Sequence, residues 1–346
     1  MNHRKVAAIA GGLAVCTAGG ALCSALHTPL PWMIGPLGAM ALVQFGGASL
    51  EAPPLGREAG QATIAVALGL YFTPTVAREV LAHAPTLAVA ALGVFVVGLL
   101  ASLLLAKAAR VDAATAFFSS AIGGAAEMVN LGERNGALVD RVALAHSIRL
   151  LIVVTTVPIG ITLLGQTGAE DYRPVAVPFD AGGLAILFAA GLAAAFAWRR
   201  TNLPNAFMMG PLITTIAITA AGHSLSSMPS WMSNLAQLLL ACSLGSRFQQ
   251  SFLREAPRFV AAVVATIVFM LATLALFAHG LAWATGGLAA TIMLACSPGG
   301  IAEMAITAKV LRVGVAFVTA AHVMRFAIVV LATEPTFKLI QRFARK

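Results

Sequence analysis

Charge is what this sequence has least of. Only 10% of its 346 residues are Asp, Glu, Lys or Arg, against roughly 25% in a soluble domain. Hydrophobic residues make up 59%, and the mean hydropathy is +0.90. No aqueous fold of this length hides so much apolar side chain, so a soluble globular class is excluded. Cysteine is scarce as well: Cys16, Cys23, Cys242 and Cys296 lie in apolar runs without CxxC spacing. That argues against a disulfide framework or a zinc site and leaves them as packing residues. No Walker loop, HExxH or GxSxG motif is present, and the seven His are scattered, so an enzyme is not expected and neither is a cofactor or bound metal. The longest polar stretch, 165–180, is a mildly acidic loop rather than a basic module, so no nucleic acid partner is expected. The net charge of +9 reads instead as basic loops kept on the cytoplasmic side.

What the chain has in place of these is one motif written twice. Gly123-Gly124-Ala125-Ala126-Glu127-Met128 returns 176 residues later as Gly299-Gly300-Ile301-Ala302-Glu303-Met304, each copy inside apolar sequence. A Gly-Gly pair lets the backbone leave a helix, and a carboxylate one turn further on is costly where water is scarce. Other segments recur at nearly the same offset. Pro29, Gly35 and Pro36 return as Pro204, Gly210 and Pro211; Gln61, Leu68, Gly69, Phe72, Arg78 and Glu79 return as Gln237, Leu244, Gly245, Phe248, Arg254 and Glu255; His146 and Arg149 return as His322 and Arg325. Composition bias does not produce such a series, so the chain is a duplication. The first repeat spans 1–164 and the second 181–346. They are joined by the loop 165–180, which holds Glu170, Asp171, Arg173, Pro174 and Pro178.

The start, Met1 to Lys5 followed by apolar sequence to Ala25, has the look of a signal peptide. Its counterpart, Ala181 to Trp198, is internal, so the first is read as a retained transmembrane helix. Each repeat then offers five crossings in addition to its Gly-Gly segment. If that segment crosses too, the repeats are parallel; if it enters and leaves on one side, they are inverted. Placing both termini in the cytoplasm with re-entrant segments puts Arg4, Lys5, Arg57, Lys107, Arg110, Arg134, Arg199, Arg200, Arg247, Arg254, Arg258, Lys338, Arg342, Arg345 and Lys346 inside, and only Arg78, Arg173, Lys309 and Arg312 outside. Positive charge concentrates on the cytoplasmic side, which favours that choice. The expected fold is an all-α polytopic membrane protein: two inverted repeats of five transmembrane helices, each with a Gly-Gly re-entrant hairpin.

Broken helices at membrane depth are tolerated only around a cavity, and they build sites in carriers with inverted repeats. Ser119, Ser120, Gly123 and Gly124 from one break, and Ser297, Pro298, Gly299 and Gly300 from the other, are the expected solute-binding residues. Arg149 and Arg325 would clamp an anionic group, and Glu127, Glu303, His146 and His322 would carry the coupling ion, Na+ or H+. A plainer reading stands beside this one. Gly pairs also allow close helix packing, and each Arg can simply neutralise the Glu of its own hairpin. Asn130, Glu133, Arg134, Asp140 and Arg141 lack counterparts and read as solvated charges. Pro31 and its neighbours read as shaping the start of a helix.

The Pro-Trp-Met-Ile-Gly-Pro-Leu segment, Gly-Gly-x-x-Glu-Met followed by His-x-x-Arg, and the duplication of the set together resemble the AbrB family of bacterial membrane proteins, over about residues 6 to 340. Ser-Pro-Gly-Gly-Ile-Ala-Glu-Met is the most specific part; the first copy has Ile122 where the second has Pro298. The family has carried labels as different as ammonia monooxygenase, regulator of gene expression and transporter. The five-crossing layout also resembles citrate and glutamate carriers in architecture. The resemblance and the residues together imply a secondary transporter of a small, anionic organic solute in a bacterial inner membrane, with any effect on gene expression indirect. The alternatives are a membrane sensor that binds a ligand without moving it, and an ammonia monooxygenase-like enzyme. The expected partners are the solute and membrane lipid, and a homodimer is compatible with this reading.

Overall fold

The computed structural model describes residues 3–165, 168, 177–248 and 256–344. Within them every regular element is an α-helix. In chain order these are α1 His3–Ala25, α2 Pro31–Phe45, α3 Gly56–Gly69, α4 Pro74–Ala82, α5 Ala84–Ala109, α6 Ala113–Ser120, α7 Ala125–Arg134, α8 Val139–Leu163, α9 Ala181–Arg199, α10 Ala206–Ala220, α11 Ser230–Gly245, α12 Pro257–Thr285, α13 Ala289–Cys296, α14 Ile301–Leu311 and α15 Val315–Ala344. Glu170, Asp171, Arg173, Pro174, Arg254, Glu255, Arg345 and Lys346, singled out above, lie outside the described residues.

Six helices, α1, α5, α8, α9, α12 and α15, are long and apolar enough to cross a membrane, so the protein is an all-α, multi-pass membrane protein. Their outward faces carry the apolar side chains that lipid requires. On α5, Leu92, Val96, Leu100 and Leu103 are each about half exposed or more along one side. The other crossings read from the sequence are shorter: α2, α3, α10 and α11 have 15, 14, 15 and 16 residues. At 1.5 Å per residue each reaches roughly 20–24 Å, less than the ~30 Å hydrocarbon core. The run through Arg78 and Glu79 forms a separate helix, α4, bent 91° from α3.

The chain makes two compact units, and each takes matched segments from both halves. The first unit comprises Met1–Ala82, Pro158–Gln250 and Ala305–Ala316; the second comprises His83–Val157, Ser251–Met304 and Phe317–Lys346.

In the first unit, α1 packs on α2, and α9 on α10. Small residues let these backbones touch. A Cβ on Gly35 would collide with the Gly19 carbonyl, and one on Gly210 would meet the backbone of Ala194 and Ala195. Close approach of this kind replaces the hydrophobic drive that lipid removes. Pro31 occupies the first turn of α2, as its fixed φ suits. Ahead of it, Leu30 is left-handed at φ 50°, as is Asn205 ahead of α10 at φ 57°. A leucine held there costs about 1–2 kcal/mol. The compensation is visible, because Leu30 is buried and its carbonyl accepts from the N–H groups of Met33 and Ile34, both at 3.0 Å. We expect Gly35→Leu to destabilise the protein by about 2–3 kcal/mol through forced separation of α1 and α2. Thermal unfolding in detergent, with Gly38→Leu as a control at a position where a Cβ meets nothing within 4 Å, measures it.

The second unit is built on α5 and α12, which run antiparallel. Near one end Gly93 of α5 stands against Phe277 of α12, and at the other Arg258 Nε donates to the Ala108 carbonyl at 3.2 Å. Between them lie Val94, Val97, Met270 and Leu274, joined by Ile122 from the first Gly-Gly break and Cys296 from just before the second. A second cluster packs Phe117 and Phe118 of α6 and Met128 of α7 against Val329 and Phe337 of α15.

Candidate functional site

All the residues chosen from the sequence as solute or coupling groups fall in the second unit. The first Gly-Gly segment starts firmly. Asp112 caps α6 by accepting from the Thr115 N–H at 2.8 Å and the Thr115 hydroxyl at 2.6 Å. The same hydroxyl accepts from the Leu138 N–H at 2.8 Å, so the start of α6 is tied to the residue before α8. Between those points the helix stops at Ser120 and resumes at Ala125; in the second copy it stops at Cys296 and resumes at Ile301. The Met of each motif closes over the first glycine. Met128 and Met304 are fully buried, and a Cβ on Gly123 or Gly299 would strike them.

The broken stretches leave backbone carbonyls without helical partners in a dry interior, which is costly unless something donates to them. The arginines do so, in the same way twice. Arg149 donates from Nη1 to Ala121 O at 2.9 Å and from Nη2 to Gly123 O at 3.2 Å. Arg325 donates from Nη1 to Ser297 O at 2.7 Å and from Nη2 to Gly299 O at 2.5 Å. A planar fork presents two donors at a fixed spacing that suits two carbonyls two residues apart, a geometry an ammonium does not fix. This bracing role was not among those weighed from the sequence, a solute clamp or neutralisation of each hairpin's Glu. Nothing in the sequence pointed to it, because carbonyls have no side-chain signature. The only trace was the constant distance from each break to its arginine.

The histidines part company. A guanidinium only donates, so the 2.9 Å contact from Arg149 Nη2 makes His146 Nδ1 an acceptor; the proton therefore sits on Nε2, which donates to Phe118 O at 2.9 Å. In the second copy the corresponding carbonyl, Leu294 O, already accepts from the Ser297 hydroxyl at 2.9 Å and the Ser297 N–H at 3.2 Å. Alanine at position 121 has no hydroxyl with which to compete. His322 is fully buried, and neither ring nitrogen forms a regular hydrogen bond. The two histidines thus sit in different environments although the motif around them repeats.

The carboxylates differ too. Glu303 is 9% exposed, in the first turn of α14, folded so that any Cβ on Gly300 would overlap its carboxylate, and it feels the charge of Arg325. Glu127 is only half-buried, and its Oε2 has no partner. Near the first break, Ser119 Oγ, Ser120 Oγ and Arg149 Nε are also buried without partners. Their counterparts at 295 and 296 are Ala and Cys, so the hydroxyl donors are concentrated on one side. Among the charges read as solvated, Arg141 lies over the Phe259 ring at 5.3 Å. The four cysteines are free thiols, with Cys16, Cys242 and Cys296 buried.

Comparison with known proteins gives the family. The sequence profile described as "Transition state regulatory protein AbrB" matches residues 32–341. The "Uncharacterized protein YhjN" of Bacillus subtilis (strain 168) is 25% identical over 352 residues, covering 95% of this chain and 92% of that protein. The "Putative regulator AbrB" of Escherichia coli (strain K12) is 24% identical over 328 residues, covering 93% of each. With the duplicated Gly-Gly-x-x-Glu-Met and His-x-x-Arg motifs inside the matched region of an all-helical, multi-pass protein, the chain belongs to the AbrB family.

Proposed function

We propose that this protein is a secondary carrier, not an enzyme, that moves a small organic anion across a bacterial inner membrane in exchange for the energy of a proton or sodium gradient. Both termini are cytoplasmic in this reading, and the two Gly-Gly segments are hairpins entering from opposite sides. Support for the hairpins comes from contacts within the second unit. The chain leaves α5 beside Arg258, at the start of α12, and begins α8 beside Phe259, so it departs and returns at one end. The Thr115 to Leu138 hydrogen bond closes that excursion. Because α12 runs antiparallel to α5, it ends where α5 begins. The chain then resumes in α15 with Phe317 against His83, just ahead of α5, at a ring separation of 6.1 Å. The second excursion thus belongs to the opposite end, the relation an inverted repeat requires.

The observation that carries the choice of an anion is the set of unpartnered donors at the first break: Ser119 Oγ, Ser120 Oγ and Arg149 Nε, beside the amino end of α7. Leaving a buried donor unpaired costs about 1–3 kcal/mol, and an oxyanion accepts from all of them while being favoured by the helix end. The Glu127 carboxylate stands in the first turn of α7 as well, with its Oε2 unpartnered, so in this reading it is protonated or ion-paired when the anion binds. Uptake of mono-, di- and tricarboxylates into proteoliposomes under an imposed proton or sodium gradient tests the reading. The expected result is accumulation of one class of anion that collapses when an ionophore removes the gradient. The names of the relatives favour a second reading, a membrane sensor. Saturable binding with no flux under any gradient would select it and overturn the carrier.

A further inference from the structure

A polar cavity lies in the first unit, away from the Gly-Gly segments. It measures about 270 Å³ and is lined by Thr219 at the end of α10, Ser224, Ser226 and Ser227 in the connection that follows, Ser230 at the start of α11, and Lys309 of α14, with apolar walls that include Leu70 and Met228. Among the described residues no carboxylate lines it. Asp180, which donates its N–H to Ser226 Oγ at 3.0 Å, has its own carboxylate engaged by the Gly183 N–H as the cap of α9. No carboxylate lies within ion-pair distance of Lys309 among the described residues. Thr219 is 2% exposed and its hydroxyl has no hydrogen-bond partner. Thr215 and Thr333 are unpartnered too, but of these three only Thr219 lines the cavity, whereas the Thr266 hydroxyl bonds back to its own helix at 2.8 Å. A buried donor left unpaired in a polar cavity beside a lysine marks a place for an acceptor.

We infer that this cavity binds an oxyanion, held by the Lys309 ammonium and the Thr219 and serine hydroxyls, and that it is separate from the Gly-Gly site. The oxyanion is supplied either by a free carboxylate or phosphate or by the headgroup of an anionic phospholipid. Lysine serves a phosphate or carboxylate as a point charge, and hydroxyls rotate to donate to whichever oxygens arrive. The volume accommodates a group of several heavy atoms and is too small for a whole lipid, so a lipid would enter by its headgroup alone. This inference stands whether or not the protein transports anything.

Two measurements on the purified full-length protein test it. Titration calorimetry with citrate and with inorganic phosphate asks about free anions. Native mass spectrometry from nanodiscs of phosphatidylglycerol, against phosphatidylcholine, asks about headgroups. Lys309→Gln and Thr219→Val are the informative variants, with Gly38→Leu, at a position that does not line the cavity, as a control. A free-anion site shows binding that Lys309→Gln weakens about tenfold or more and Gly38→Leu leaves within twofold. A headgroup site shows phosphatidylglycerol retained by the wild type and lost in Lys309→Gln, with no calorimetric signal. If neither probe binds, or if binding is indifferent to Lys309→Gln and Thr219→Val, the inference is overturned. Failure of Lys309→Gln to fold leaves Thr219→Val, which removes one buried hydroxyl at nearly constant volume, to decide the same question.

Discussion

Arg325→Ala lowers the unfolding midpoint of the detergent-solubilised protein by roughly 5 °C or more, and Arg325→Lys recovers less than half of the loss. The guanidinium serves the Ser297 and Gly299 carbonyls together, at 2.7 and 2.5 Å. Hydrogen bonds from a charged donor contribute about 1.5–3 kcal/mol each, and the stranded carbonyls add a desolvation cost. The total is about 3 kcal/mol or more, which in a chain of this size moves the midpoint by several degrees. A lysine keeps the charge but reaches only one carbonyl at a time. Arg149→Ala is expected to act in the same direction, since it also orients His146 through the 2.9 Å contact to Nδ1. A midpoint within 1 °C of wild type for Arg325→Ala would remove the bracing role. Equal rescue by lysine would mean that charge, not fork geometry, is what matters.

Glu303→Gln has the second large effect, on coupling rather than stability. The substitution keeps the shape and one acceptor oxygen and removes the charge and the titration. Its carboxylate is buried, folded against Gly300 in the first turn of α14, and in range of Arg325. If Glu303 carries the proton or sodium ion, gradient-driven accumulation falls at least tenfold, while exchange of labelled for unlabelled anion across the same proteoliposomes continues. A structural Glu would instead impair both together. Glu127→Gln should have a smaller effect, because that side chain is half-exposed and lacks the tie to its break. Gradient-driven accumulation unchanged in Glu303→Gln would end the coupling assignment and leave the anion site standing.

Much of this molecule was readable before any coordinates. The Gly-Gly pairs announced where helices would stop, since few other residues let a backbone leave a helix so cheaply. The breaks fall between Ser120 and Ala125 and between Cys296 and Ile301. Pro31 gave the start of α2. Arg78 and Glu79, read as the tail of the third apolar run, belong instead to a separate helix bent 91° from α3, a break the sequence reading did not place. The lengths of α2, α3, α10 and α11 were harder to read.

The histidine pair shows the limit most clearly. His146 and His322 occupy the same place in a repeated motif, yet one is locked as an Nε2–H donor to Phe118 O and the other lacks a regular partner. Beside the second break the Ser297 hydroxyl donates to Leu294 O, the carbonyl that corresponds to Phe118 O, whereas position 121 is an alanine. Such competition depends on a few tenths of an ångström and on which donor arrives at a carbonyl.

The sequence by itself determined that this is a helical membrane protein built from a duplicated unit with two breaks, because period, composition and glycine placement act locally along the chain. Only the tertiary structure decided that matched segments of both halves combine into each compact unit, that the arginines brace the breaks through backbone carbonyls, and that Lys309 faces Thr219 across a cavity. Those outcomes depend on which chemically identical backbone groups meet after packing, and backbone groups are the same at every position of a sequence.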